Sequence, residues 1–116
     1  MEKTNRPRKP LAWLKCEIQS PPFSAEARIE AGEYLHVVQE GEKLEMPHSR
    51  PMPSVGSRCH EIRITDDDKK WRIIYRIDDD FIIIANIFMK KTQQTPKAEI
   101  ELSKQRLKAY DKLLEE

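Results

Sequence analysis

The stretch WRIIYRIDDDFIIIANIFMKKTQQTP, from Trp71 to Pro96, is the most apolar run of an otherwise polar chain, and its reading sets the fold. Trp71, Ile73, Tyr75 and Ile77 alternate with Arg72, Ile74 and Arg76, the period of a strand that buries one face. Asp78-Asp79-Asp80 then makes a turn. Ile82, Ile83, Ile84, Ile87 and Phe88 follow, in a block short enough to be a strand buried on both sides. The run closes on Lys90 and Lys91. No carboxylate occurs between Phe81 and Ala98, although the chain holds 20 of them. Cations kept apart from anions in this way suit an anion brought from outside.

Upstream, Cys59 to Thr65 reads as another strand, with Asp66-Asp67-Asp68-Lys69 as its turn. Short turns make the three strands an antiparallel meander. Before them, Met46 to Gly56 carries Pro47, Pro51 and Pro53 and is expected to be irregular. From Met46 to His60 there is no acid, while His48, Arg50, Arg58 and His60 all sit there. Loops carry function, so His48, Arg50 and Arg58 are candidate substrate-binding residues. Ser24 suits a helix N-cap, and Ala27, Ala31, Tyr34, Leu35 and Val38 recur at helical spacing up to the terminator Gly41. This predicts a helix over about 25–40. Leu11 to Gln19 suits a first strand, stopped by Pro21-Pro22, and Met1 to Pro10 reads as a basic mobile tail. After Thr95-Pro96, a cap followed by proline, a last helix runs to about Leu114 with Ile100, Leu107, Tyr110 and Leu114 as its stripe. The expected class is α+β, with an N-terminal helical segment and a C-terminal helix on a twisted, mainly antiparallel sheet of about four strands.

Apolar agreement tests the register. A turn centred between Asp67 and Asp68 sets Arg63 opposite Arg72 and Ile64 opposite Trp71. A three-residue turn at Asp78–Asp80 sets Ile77 opposite Phe81 and Arg72 opposite Asn86. One face then shows Ile62, Ile64, Trp71, Ile73, Tyr75, Ile77, Phe81, Ile83, Ala85, Ile87 and Met89, with His60 on the same side. The other carries Glu61, Arg63, Arg72, Ile74, Arg76, Ile82, Ile84, Asn86, Phe88 and Lys90, its apolar half calling for a cover such as the last helix. A two-residue second turn would put Lys91 there in place of Lys90. Like charges directly opposite on a sheet are destabilising by up to about 1 kcal/mol, so the row Arg63, Arg72, Asn86, with Lys90 or Lys91, points to an anionic ligand. Asn86 joins the candidate binding residues, and Glu61 is expected to neutralise Arg76. Such a row suits phosphodiester chemistry, where charge gathers on non-bridging oxygens and fixed cations stabilise it.

The totals set limits. A chain of 116 residues forms one domain that buries roughly two-thirds of its unfolded surface. The net charge of +1 means that a nucleic-acid reading rests on local clustering. Cys16 and Cys59 form no CxxC and read as free thiols in a reducing cytoplasm. There is no apolar run of about 18 residues and no signal-peptide core, so no membrane role is expected. No glycine-rich phosphate loop, GxSxG or HExxH occurs.

Taken together, PPFS (Pro21–Ser24), PHSRPMPSVGSRCHEIRI (Pro47–Ile64), WRIIYRI (Trp71–Ile77) and FMKKTQQTP (Phe88–Pro96), in that order after Trp13, resemble the phage-derived branch of the HigB-like toxins, in the RelE/ParE superfamily. The resemblance runs from about Leu11 to Tyr110. It implies a single RelE-like toxin domain over 11–116 and the toxin of a type II toxin–antitoxin system. The implied activity is a ribosome-dependent mRNA endonuclease acting by 2′-hydroxyl attack, with no metal or cofactor. By position it implies catalytic roles for Arg63, Arg72 and Lys90 or Lys91. The implied partners are a HigA-like helix-turn-helix antitoxin, the ribosome and mRNA. The last helix either docks over the active face or serves a homodimer. The general base is open among His48, Lys90 and Lys91. The other class left open is a non-nuclease binder of the same fold, such as a ParE-like gyrase inhibitor or an inactive phage-derived homologue. The mild net charge and the lack of an aromatic residue just after the lysines favour that class, while the arginine–lysine row favours the enzyme.

Overall fold

The computed structural model describes residues 8–18, 21–91 and 93–115. Its elements are β1 (Leu11–Trp13), α1 (Ala25–Gln39), β2 (Ser49–Pro51), β3 (Cys59–Asp66), β4 (Lys69–Ile77), β5 (Ile82–Lys90) and α2 (Lys97–Leu114). They make an α+β structure with one five-stranded open sheet, ordered β1-β5-β4-β3-β2. The sheet is mixed: β1 runs parallel to β5, and the other pairs are antiparallel.

Two strands differ from the sequence reading. The first covers only Leu11–Trp13, not Leu11 to Gln19. The proline-rich stretch expected to be irregular contributes β2, which places Arg50 opposite Glu61. Pro51 is tolerated because β2 is the outermost strand, where a missing N–H costs no ladder bond. Residues 1–7 of the expected tail lie outside the described residues. Lys9 is held in place: its backbone N–H donates to Gln39 O at 3.0 Å and its Nζ to Asp78 O at 2.7 Å.

The helix ends follow local chemistry. Ser24 Oγ accepts from Ala27 N at 3.1 Å and caps α1. Gly41 adopts φ 83°, its N–H donates to Val38 O and that of Glu42 to Val37 O, the paired bonds of a Schellman turn. At α2 the N-cap is Pro96 without a side-chain cap, because the Thr95 hydroxyl donates to Glu61 instead.

The meander from β3 to β4 has the expected register, with Arg63 opposite Arg72 and Ile64 opposite Trp71. Asp67, at φ 60°, supplies the tight turn. From β4 to β5 the register departs from the sequence reading. Ile77 pairs with Ile82, and a bulge beside Ile74/Tyr75 leaves Ala85 as the extra residue. Arg72 therefore faces Phe88, and Asn86 faces Ile74. The bulge also exchanges faces near the turn. Ile82 and Ile84, expected opposite α1, join Phe23, Ala27, Ala31, Leu35, Val38, Ile62, Ile64, Trp71, Ile73 and Tyr75 in the core under α1. Ile83 and Ala85 join Met52, Val55, Cys59, Ile74, Phe88 and Leu107 under α2. The C-terminal helix is thus the cover that the second face requires. Arg106 of α2 donates to the Ala85 carbonyl at 2.9 Å, so the bulge oxygen is satisfied from across the layer. No helix among the described residues is long and apolar enough to cross a membrane.

Candidate phosphate-binding cleft

The site forms because three strands turn basic residues to one face at one end of the sheet. Thr65 pairs with Lys70, Arg63 with Arg72, and Lys70 with Lys90. Paired residues on antiparallel strands stand about 5 Å apart at Cα, so four cations occupy neighbouring positions. They open onto a cleft of about 780 Å³ lined by Arg63, Lys69, Lys70, Arg72, Lys90 and Lys91, with Asp68 as its one carboxylate. This end of the α2-side face is left open.

Arg72 is at the centre and only 3% exposed. Its Nη1 donates to Trp71 O at 2.9 Å. Its Nε lies 3.5 Å from Glu61 Oε1 and is buried without a hydrogen-bond partner. Burial pulls its pKa down, and Glu61 opposes that pull. A guanidinium stays charged regardless. Glu61 is fully buried. Its Oε1 accepts from Arg50 Nε at 3.0 Å and its Oε2 from the Thr95 hydroxyl at 2.8 Å. One carboxylate therefore holds β2, β4 and the segment leading into α2 around the cation row. The Lys90 pKa is also lowered, first by burial and then by Arg72 beside it.

The residues singled out by sequence separate clearly. Arg63, Arg72 and Lys90 come together, and Lys91 is exposed on the rim of the same cleft. His48 stands just outside: its carbonyl accepts from Arg63 N at 2.8 Å. With Arg63, Lys70 and Arg72 it lines a second hollow of about 370 Å³. Arg50 faces the cluster but is committed to Glu61. Arg58 is not brought in; it sits at the opposite end of β3, paired with Asp78 at 3.2 Å. Asn86 is not in the row either. It is 4% exposed, donates to Glu99 Oε1 at 3.0 Å and accepts from Arg106 at 3.4 Å, so it seats α2. His60 faces the α1 side and stacks on Tyr75, with centroids 5.4 Å apart. Sequence reasoning missed Lys70, whose signal was its place two residues before Arg72 and hence on the same face.

Arg76, expected to pair with Glu61, binds Asp78 at 2.8 Å and Asp111 of α2 at 2.7 Å. Arg76 holds the Asp111 carboxyl below its ordinary range. A depressed carboxylate contributes stability that is full above its unfolded pKa and is lost as pH falls through the folded value. Asp111→Asn should lower stability by about 1 kcal/mol at pH 7, a figure kept small because Asp111 is half exposed. Melting curves of the two proteins should converge below about pH 3. A gap that persists there would show that the charge is not what docks α2.

Among the described residues no three His, Cys, Asp or Glu side chains converge as a metal site. Both cysteines are free thiols, Cys59 buried and Cys16 half-buried. Residues 21–108 match the model of the family described as Phage derived protein Gp49-like (DUF891). No curated protein matches the chain.

Proposed function

The chain belongs to the phage-derived Gp49-like family, and on that premise we propose that it is the toxin of a type II toxin–antitoxin pair, a HigB-like mRNA interferase of the RelE/ParE kind. The observation that supports this most is the cation row Arg63, Lys70, Arg72 and Lys90, built on paired strands and backed by a buried carboxylate. Strand residues are held more firmly than loop residues, so the row is preorganised for a fixed anion.

The chemistry follows from these groups. The 2′-hydroxyl of the RNA releases its proton to water as it attacks the adjacent phosphorus, the P–O5′ bond breaks, the leaving oxygen takes up a proton, and a 2′,3′-cyclic phosphate and a 5′-hydroxyl result. Negative charge grows on the non-bridging oxygens, where Arg72 and Arg63 stabilise it. Lys90, with its pKa pulled down by burial and by Arg72, is the better proton donor to the leaving 5′ oxygen. The ribosome supplies the strand alignment that such a small open cleft lacks. A helix-turn-helix antitoxin that presents carboxylates to the cleft would neutralise it, and the activity belongs in the cytoplasm.

The test is a translating extract given a defined mRNA and the purified protein, with 5′ ends mapped by primer extension. Cuts phased to codons that vanish without ribosomes are expected. Intact mRNA with normal translation would overturn the nuclease reading.

A further inference from the structure

Beside the cation row lies a hollow with different chemistry. It is lined by Glu30, Tyr34, Pro47, His48, Arg63, Thr65, Lys70 and Arg72, so it shares three cations with the cleft and adds an aromatic pair and a carboxylate. Tyr34 and His48 lie with ring centroids 5.0 Å apart and planes inclined by 35°. The Tyr34 hydroxyl and His48 Nδ1 share a hydrogen bond of 2.9 Å. Burial and the neighbouring Glu30 raise the Tyr34 pKa, so the hydroxyl stays protonated at neutral pH. The two rings come from separate segments, α1 and the loop before β2, and the loop is fastened to the sheet by the bond from Arg63 N to His48 O. Glu30 stands four residues before Tyr34 and therefore on the same face of α1.

An aromatic pair lining a hollow together with Arg63, Lys70 and Arg72 of the phosphate site has an evident partner. Bases stack on aromatic rings while cations hold the adjoining phosphate. A carboxylate at the edge of such a surface accepts from an exocyclic amino group, such as cytosine N4. Uracil offers it only carbonyl oxygens at the corresponding position. The hollow brings together cations, a ring pair and one acid. That set matches the phosphate, base face and amino edge of a single nucleotide.

We propose that Glu30, Tyr34 and His48 form a nucleobase subsite next to the phosphate-binding row, taking a nucleotide whose base carries an exocyclic amino group. The inference rests on the phosphate reading of the cleft, and it adds base selection by residues outside the sheet.

Three ligands separate the two ideas: the 3′-monophosphates of 2′-O-methylcytidine and 2′-O-methyluridine, and the corresponding abasic sugar phosphate. Each is titrated into isotope-labelled protein and followed by NMR. The abasic phosphate should shift the signals of Arg63, Lys70 and Arg72. The cytidine ligand should bind on the order of tenfold more tightly than the abasic one, the scale of one base stacked on an aromatic ring. The uridine ligand should fall between them. Tyr34→Leu, which keeps an apolar side chain against the α1 core, should remove the gain from the base and leave abasic binding unchanged. Tyr34→Phe should retain it. Glu30→Gln should erase the difference between cytidine and uridine. Equal affinity for all three ligands would overturn the subsite and leave the phosphate site standing. Equal weakening of every ligand by Tyr34→Leu would do the same. No binding of any of them would overturn both.

Discussion

Arg72→Met should lower ribosome-dependent cleavage about 100- to 1000-fold, the scale of losing one fixed donor to a developing oxyanion. Methionine is unbranched and fills the channel of the guanidinium stem without a charge. The fold should survive the change. Glu61 keeps Arg50 and the Thr95 hydroxyl as partners. The repulsion between Arg63 and Arg72, set directly opposite each other, disappears. Melting should therefore stay within about 2 kcal/mol of the parent. Primer-extension signal per ribosome, measured beside a melting curve, decides the matter. A folded variant that cuts at the parental rate would remove Arg72 from the chemistry.

The largest effect on stability belongs to Glu61. Glu61→Leu should cost about 3–5 kcal/mol, because it leaves Arg72 buried beside Arg63 with no counter-charge. Arg50, more exposed, can turn its head group to water. The double variant Glu61→Leu with Arg72→Met should recover much of that loss, since an apolar pair of similar volume often replaces a buried ion pair at little cost. Urea unfolding of the four proteins gives the coupling. If Glu61→Leu costs less than about 1 kcal/mol, the carboxylate is not what holds the cation row together. In that event β2 is fastened by its backbone pairing with β3 and by apolar contacts.

Much of this arrangement was legible in the residues. Alternation in WRIIYRI and the acidic turn after Thr65 gave β4 and the pairing of Arg63 with Arg72, because a buried face tolerates no slip of one residue. Serine and glycine marked both ends of α1 for reasons internal to the backbone. The second turn was not legible in the same way. Ile82, Ile83 and Ile84 are apolar in either facing, so the apolar pattern could not reveal the bulge at Ala85. For that reason Asn86 was placed in the cation row when it lies under α2. Arg58 and Arg50 looked alike in an acid-free loop, but their fates depend on contacts distant in sequence, with Asp78 and with Glu61. Tyr34 fitted a helical stripe, and only the fold brings it to His48.

The bulge makes β5 a strand with two reading frames. Up to Ile84 the even positions face α1, and from Asn86 onward they face α2. Deleting the single residue Ala85 would restore plain alternation and keep the facing of everything after it. Asn86 and Phe88 would still face α2, whose seat would lose only the Ala85 side chain and the bulge carbonyl that Arg106 binds. Inserting one residue after Asn86 would instead turn Phe88 to the α1 side, while charge would come through, because Lys91 would take up the facing that Lys90 gives up. The doubled lysine makes the cleft's positive potential indifferent to frame, while the docking of the last helix tolerates only one.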